Sequence, residues 1–345
     1  DHSLAFLEMA FRTDRRERIE KADGYAKKSG DCGDTVEFFL NVEDEIIHNL
    51  SYDINGCLNT NACCNAVIAL AEGKSLDEAW EIIPATSVNP DNAGGYAALI
   101  ELEEMDGRKR KFLLDTGWSY KWTEECFKRE GIDKMLAAGE IEALFISHEH
   151  FDHYWGLPVT LKYAPDIPLY IPKGFYEEGL QYIKDCGHKG EVTVVEPGLN
   201  KVIPGFATYV FDIPIICRVY GEQSMYFNIK DKGLVSVTGC CHQSIIQFAE
   251  TAYREIKYEN DNLYGIYGGL HISPFDDWDP KYDDLVISLG KYGFEKIGCN
   301  HCTGVLCAKK FIAAGYPVVK GTAQYRSKDP AYLGNGDEIG FGIEV

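Results

Sequence analysis

Residues 141–158 read IEALFISHEHFDHYWGLP: an apolar run, residues 141–146, delivers the chain into a segment holding three histidines and an aspartate within six positions. The chain has nine histidines, so a third of them fall here. The spacing H-x-H-x-D-H is too tight for one helix face to gather all four side chains. On a loop leaving a buried strand, alternation sends His148 and His150 one way while Asp152 and His153 turn toward an adjacent point. Two neighbouring metal positions are the expected outcome. Imidazole nitrogen and carboxylate oxygen suit zinc or iron, with manganese as a further option, and an open coordination position lets such a cation activate water. A closed structural zinc site recruits thiolates at CxxC spacing, which this segment lacks.

Three further histidines stand at the ends of apolar runs: VSVTGCCH ends at His242, LYGIYGGLH at His271, and KIGCNHCTG carries His301. A single histidine of this kind reads as a hydrogen-bonded or surface residue. Three of them behind an H-x-H-x-D-H segment read as strands converging ligands on one sheet edge. His2, His48 and His188 are then left as surface residues. Tyr154 and Trp155 are candidates to wall the pocket or to pack, and Glu149 reads as a solvated or loop-fixing carboxylate.

The surrounding sequence sets the frame. With 345 residues the chain is long enough for two domains with cores of their own. The formal charge of −20 opposes polyanion binding, which removes nucleic acid as a partner. No stretch approaches the roughly 18 apolar residues of a membrane span, and residues 1–30 read as an amphipathic helix rather than a secretion signal, so a cytoplasmic chain is expected. In a reducing compartment the twelve cysteines serve as metal or cluster ligands or as small buried hydrophobes. Cys126, Cys186 and Cys217, lying singly in amphipathic or strand-like runs, read as the latter. Cys240, Cys241, Cys299, Cys302 and Cys307 lie close to the strand-end histidines and carry no assignment.

Residues 35–54 alternate around the turn VEDE as a hairpin, ACCNAVIALAEG reads as a helix closed by Gly73, and Ser75 with Glu78 forms a capping-box pattern. The Pro-, Asn- and Gly-rich residues 85–95 read as a linker between a Cys-rich domain, residues 1–84, and a second domain, residues 96–345. In the latter, strand runs such as YAALIELEE, KFLLD, SMYFNIK, GLVSVTG and PVVKG alternate with helical stretches, an α/β sandwich pattern. Near the N-terminus, Cys32 precedes the hairpin and Cys57 follows it, with Asp34 alongside and Cys63 and Cys64 opening the next helix. A helix N-terminus favours thiolates and anionic clusters, so these residues outline an iron-sulfur or zinc pocket.

Residues 96–345 resemble the metallo-β-lactamase superfamily through LLDTGW, which carries Asp115, and SHEHFDHYWGL. The combination of DTGWS, TGCCH, GGLHI and HCTG resembles its dihydropterin-methyl-ribofuranosylaminobenzene phosphate synthase-like branch. The resemblance implies an αββα sandwich with a dinuclear centre: His148, His150 and His242 on one metal, and Asp152, His153 and His301 on the other. His271 stands near the place of the superfamily's bridging aspartate, Asp115 orients a ligand from behind, and Asp152 and His271 are the catalytic candidates. CGD at 32–34, GC at 56–57 and AEGKSLDEAWEI are similar to the IscU/NifU-type iron-sulfur scaffolds, which implies a smaller α+β domain with a 4Fe-4S or 2Fe-2S cluster. In this chain Cys63 or Cys64 would replace that family's later ligand pair.

The expected activity is that of a metal-dependent hydrolase or lyase acting on a small anionic or sulfur-containing metabolite in an anaerobic organism. A diiron redox enzyme fed by the cluster and a non-enzymatic iron-sulfur assembly or carrier protein are the alternatives. A homodimer and an electron- or sulfur-donor protein are the partners these readings admit.

Overall fold

The computed structural model describes residues 4–29, 34–76, 78–79, 95–215, 219–256, 261–274, 278–325, 327 and 329–342. The chain divides into two compact units, residues 1–92 and 93–345. Apart from Gly95, the expected linker lies outside the described residues, as do Cys32, Cys217 and His2. Among the described residues no helix is long and apolar enough to cross a membrane.

In the first unit a three-stranded antiparallel sheet, β1 (Gly24–Ser29), β2 (Thr35–Glu43) and β3 (Ile46–Asn55), packs beneath the helix Leu58–Ala71. Ile47, Leu50, Ile54 and Ile68 form its core around the fully buried Tyr52. The Tyr52 hydroxyl donates to Asn61 Oδ1 at 2.7 Å and accepts from Asn65 Nδ2 at 2.9 Å. The two asparagine amides also donate to the carbonyls of Met9, Ala10 and Arg12. The expected helix over residues 1–30 therefore stops early: it spans Leu4–Phe11, and residues 24–29 form an edge strand on β2 instead. Side-chain capture of the first helix's last carbonyls and backbone pairing with β2 outweigh the helical propensity of that stretch. The Ser75 and Glu78 pair does form reciprocal capping bonds, at 2.9 and 3.1 Å.

The second unit contains two mixed sheets. One has the order β4-β5-β6-β7-β8, with β4 Ala98–Glu103, β5 Lys109–Leu114, β6 Ile141–Phe145, β7 Leu169–Pro172 and β8 Val192–Val195. The other has the order β14-β13-β12-β11-β10-β9, with β9 Gly198–Ile203, β10 Phe206–Ile215, β11 Val219–Ile229, β12 Gly233–Thr238, β13 Gly265–Gly269 and β14 Lys296–Asn300. Strict alternation sorts the side chains. Phe112, Leu114 and Phe145 meet Phe206, Met225 and Phe227 between the sheets, while Leu113 and Leu144 turn outward to Phe127, Leu136 and Leu157 on the covering helices. On the far side, Ile266 and Ile297 meet Phe248, Leu289 and Phe311 of three further helices. These three apolar layers make an αββα sandwich. Phe206 and Phe227 stack at its middle with centroids 4.5 Å apart, a contact worth about 0.5–1.5 kcal/mol beyond its buried area.

Two strand expectations need correction. PVVKG contributes a single bridge, Val318 to Ile297, because Pro317 supplies no N–H and the ladder ends there. GLNKVI, not expected as a strand, is β9, held as the edge partner of β10. What matters for the site is direction. Strands β5 and β6 in one sheet run parallel to each other, as do β12, β13 and β14 in the other, so within each sheet the residues that follow their C-termini, Asp115 and His148 in one and His242, His271 and His301 in the other, emerge at one edge.

Candidate metal centre

The segment after β6 starts buried, comes out to the surface at Phe151 and turns back in: Ser147, His148 and His153 are fully enclosed, while Phe151 is exposed. Asp115, just past β5, is the post around which it folds. Its Oδ1 accepts the Ser147 N–H at 2.6 Å, and its Oδ2 accepts the Ser147 hydroxyl at 2.7 Å and lies 2.7 Å from His153 Nδ1. Ser147 Oγ is in turn 2.8 Å from His148 Nδ1. With both Nδ1 atoms engaged from behind, His148 and His153 present Nε2 forward, the device by which a carboxylate fixes a ligand's tautomer.

Two trios of donors result. Ligand atoms of His148, His150 and His242 all lie within 4.8 Å of one another, and so do those of Asp152, His153 and His301. His148 Nε2 approaches His150 Nδ1 to 2.9 Å, and His153 Nε2 approaches His301 Nε2 to 3.1 Å. Nitrogens bound tetrahedrally to one cation at about 2.0–2.1 Å stand about 3.3 Å apart, so these pairs have nearly the spacing a metal imposes. Asp152 Oδ2 lies 3.4 Å from His301 Nε2, and Oδ1 lies 3.9 Å from His153 Nε2. A hard carboxylate among neutral imidazoles is a donor set for zinc, iron or manganese, so the residues fit the divalent cations that the fold family implies.

Burial raises the Asp152 carboxyl, and His153 and His301 outweigh it, leaving the group ionised well below the usual carboxylate range. Burial and the neighbouring imidazoles push His148 down, so it stays neutral and able to ligate. His271 lies against His242 with ring centroids 4.4 Å apart and the planes tilted by 46°, and burial lowers its pKa to about 4. It belongs to neither trio.

The backbone contributes to this convergence. Asp115, Cys241, His271 and His301 have φ of 63°, 60°, 44° and 47°, in the left-handed region that few non-glycine residues adopt. Each lies just beyond a strand end, where the reversal re-aims the chain across the sheet edge. Gly269 permits the close approach: a Cβ there would stand 2.3 Å from the Gly239 carbonyl oxygen and 2.7 Å from Cys302 Sγ.

Several residues of the centre escaped the sequence reading. Glu222 on β11 is fully buried, and its carboxylate accepts the N–H groups of Cys241 and His242 at 2.8 and 2.9 Å. Its Oε2 stands 3.5 Å from His242 Nδ1, so the carboxylate both holds the turn and lies behind the His242 ring. Tyr96, also buried, sets its ring 5.9 Å from that of His153 and 5.8 Å from that of His301, closing one side. No local motif marks either residue. Of the undecided residues, Glu149 fixes its loop by accepting the Tyr176 N–H at 2.7 Å, and Tyr154 packs against Phe175 and Tyr182. Trp155 is exposed.

In the first unit, Asp34 Oδ2 accepts the Cys57 N–H at 2.9 Å and the Thr60 hydroxyl, which brings Asp34 to the N-terminus of the helix Leu58–Ala71. Cys57 and Cys63 are exposed there. Cys64 is turned into the apolar core, where burial pushes its thiol up to about 11. Among the described residues no metal-ligating trio forms around Cys57 and Cys63.

Residues 15–90 match the family model of the NifU-like N terminal domain, and residues 92–214 match that of the metallo-beta-lactamase superfamily. No curated protein matches the chain. Among solved structures, it is similar to a metal-dependent hydrolase of the β-lactamase superfamily (20% identity, TM-score 0.47, 60% of this chain and 84% of the other). It is also similar to zinc-bound PqqB from Methylobacterium extorquens (12%, TM-score 0.43, 64% and 84%). A third is a scaffold protein for iron-sulfur cluster assembly from Fervidobacterium islandicum (22%, TM-score 0.24, 27% and 66%).

Proposed function

We propose that this chain, a NifU-like N-terminal domain followed by a metallo-β-lactamase-superfamily domain, is a metal-dependent hydrolase with a dinuclear His and Asp centre and an iron-sulfur site in its first unit. The observation that carries the reading is the pair of donor trios at one sheet edge, His148 with His150 and His242, and Asp152 with His153 and His301. Two divalent cations held there would polarise an ester, thioester or phosphoester and activate water near neutral pH.

The chain's own residues supply orientation. Asp115 and Ser147 hold the His148 and His153 rings in register, and Glu222 holds the turn that carries His242. Asp152, held ionised beside His153 and His301, is the carboxylate to accept a hydrogen bond from the attacking water and orient it. Tyr96 keeps solvent from the flank. His271, beside His242, is the second candidate for contact with substrate. The net charge of −20 disfavours polyanions, so the substrate class we infer is a small metabolite, anionic or sulfur-containing.

Protein purified without oxygen should hold two metals per chain in addition to iron matched by acid-labile sulfide. It should hydrolyse simple esters, thioesters or phosphoesters in a chelator-sensitive way. Two metals without sulfide would remove the cluster and leave the hydrolase. Bound iron with a reversibly reducible visible spectrum and no hydrolysis would overturn the hydrolytic assignment.

A further inference from the structure

We propose that Cys240 is a thiolate ligand of the dinuclear centre, reaching between its two halves, with Cys302 as its hydrogen-bond donor. The proposal rests on the dinuclear reading above and adds a sulfur donor that the histidine and aspartate set does not contain.

Five cysteines surround the strand ends of the second sheet, and their surroundings separate them. Cys241, Cys299 and Cys307 lie within the apolar cluster beneath the outer helices, where a thiol acts as a small hydrophobe. Cys240 and Cys302 are also buried yet belong to none of the apolar clusters found among the described residues. Their neighbours are ring nitrogens. Cys240 Sγ lies 3.2 Å from His153 Nε2, the nitrogen that Asp115 turns toward the centre. It groups within 4.8 Å with ligand atoms of His148 and His153, and also with those of His301 and Cys302. His148 comes from the first trio, and His153 and His301 come from the second, so one sulfur stands within reach of donors to both metals.

The second thiol completes the arrangement. Cys302 Sγ is 3.3 Å from Cys240 Sγ, within reach to donate its S–H to a sulfur that carries negative charge once metal is bound. Space for Cys302 is kept by the absence of a side chain at Gly269, whose Cβ would intrude to 2.7 Å. Metal binding exchanges the Cys240 S–H bond for a sulfur–metal bond, and the proton leaves to solvent with no change of oxidation state. A soft donor biases the centre toward zinc or iron and away from manganese, magnesium and calcium.

The test uses the full chain with Cys32, Cys57 and Cys63 changed to Ser and Cys64 to Ala, so that the first unit contributes no thiolate. Zinc X-ray absorption should show a sulfur scatterer at about 2.3 Å, and cobalt(II) loading should give a sulfur-to-metal charge-transfer band. Adding Cys240→Ser should abolish both signals and weaken one metal by at least about 100-fold, beyond the usual cost of losing only an outer partner. Cys302→Ser should keep the sulfur signal. Because the parent protein alone gives a decisive spectrum, the test stands even if Cys240→Ser fails to fold. Two bound metals with only nitrogen and oxygen neighbours would overturn the sulfur assignment and leave the dinuclear reading intact. Failure to bind metal in the second unit would overturn both.

Discussion

Asp115 shows how much of the chemistry depends on one side chain that touches no substrate. It accepts from the backbone and hydroxyl of Ser147 and engages His153, and all three residues are fully buried. Replacing it with Asn keeps the shape and tolerates the left-handed backbone but removes the charge that fixes the imidazole. Asp115→Asn should weaken metal binding by about 10–100-fold, read by competition with a chelator, with little change in circular dichroism. Asp115 was visible in LLDTGW, as were the six histidines and Asp152, because each ends an apolar run or sits in the H-x-H-x-D-H segment. Glu222 was not: it lies twenty positions before His242 and meets it only because β11 pairs with β12. A lone glutamate in an alternating strand reads as solvent-facing until the layer above it is known. Cys240 was open for the same reason, since its meeting with His153 spans 87 positions.

Elements transmit these constraints. The meeting of β12 and β13 below the metal ligands needs bare backbone at Gly269, so Gly269→Ala should cost about 1–3 kcal/mol in denaturant unfolding, and metal content should fall as His301 and Cys302 are displaced. Farther out, Glu124 ties the helix Tyr120–Glu130 to the helix Leu157–Tyr163 that follows the metal loop. It accepts from Lys162 at 2.7 Å and Tyr163 at 3.0 Å and pairs with Lys128. Lys128 and Lys162 hold its carboxyl at about 2. A depressed carboxylate stabilises the fold above its unfolded pKa and loses that contribution as pH falls through the folded value. Glu124→Gln should therefore lower stability at neutral pH slightly and flatten its decline between about pH 4.5 and 2, as acid titration by circular dichroism would show, with solvent and salt screening the effect. Element type was largely legible from alternation in the second unit. The first unit's edge strand was not, because helical spacing and mixed charge over residues 1–30 carried no sign of the partner strand that claims residues 24–29.

At the scale of the whole chain, two units with separate cores predict two thermal transitions, and a chelator of divalent metals should lower one far more than the other. Metal at a thousandfold excess over its dissociation constant adds about 4 kcal/mol to the unit that binds it. Calorimetry with and without chelator measures this directly. A single transition shifted as a block would show that the units unfold together. The Pro-, Asn- and Gly-rich stretch and the change in pattern on either side of it are what the sequence offers toward a division into two parts, because linkers differ in composition from the cores they join.

The left-handed corners at residues 115, 241, 271 and 301 also set which replacements the chain can accept. In a library randomised at these positions and selected only for solubility, glycine, asparagine and aspartate should survive, while valine, isoleucine and threonine are lost, whether or not metal is present. His150, with an extended backbone at φ −91° and ψ 142°, should show no such bias. Comparing the two profiles would separate what the polypeptide demands of these sites from what catalysis demands, and so how far a new activity could drift before the scaffold objects.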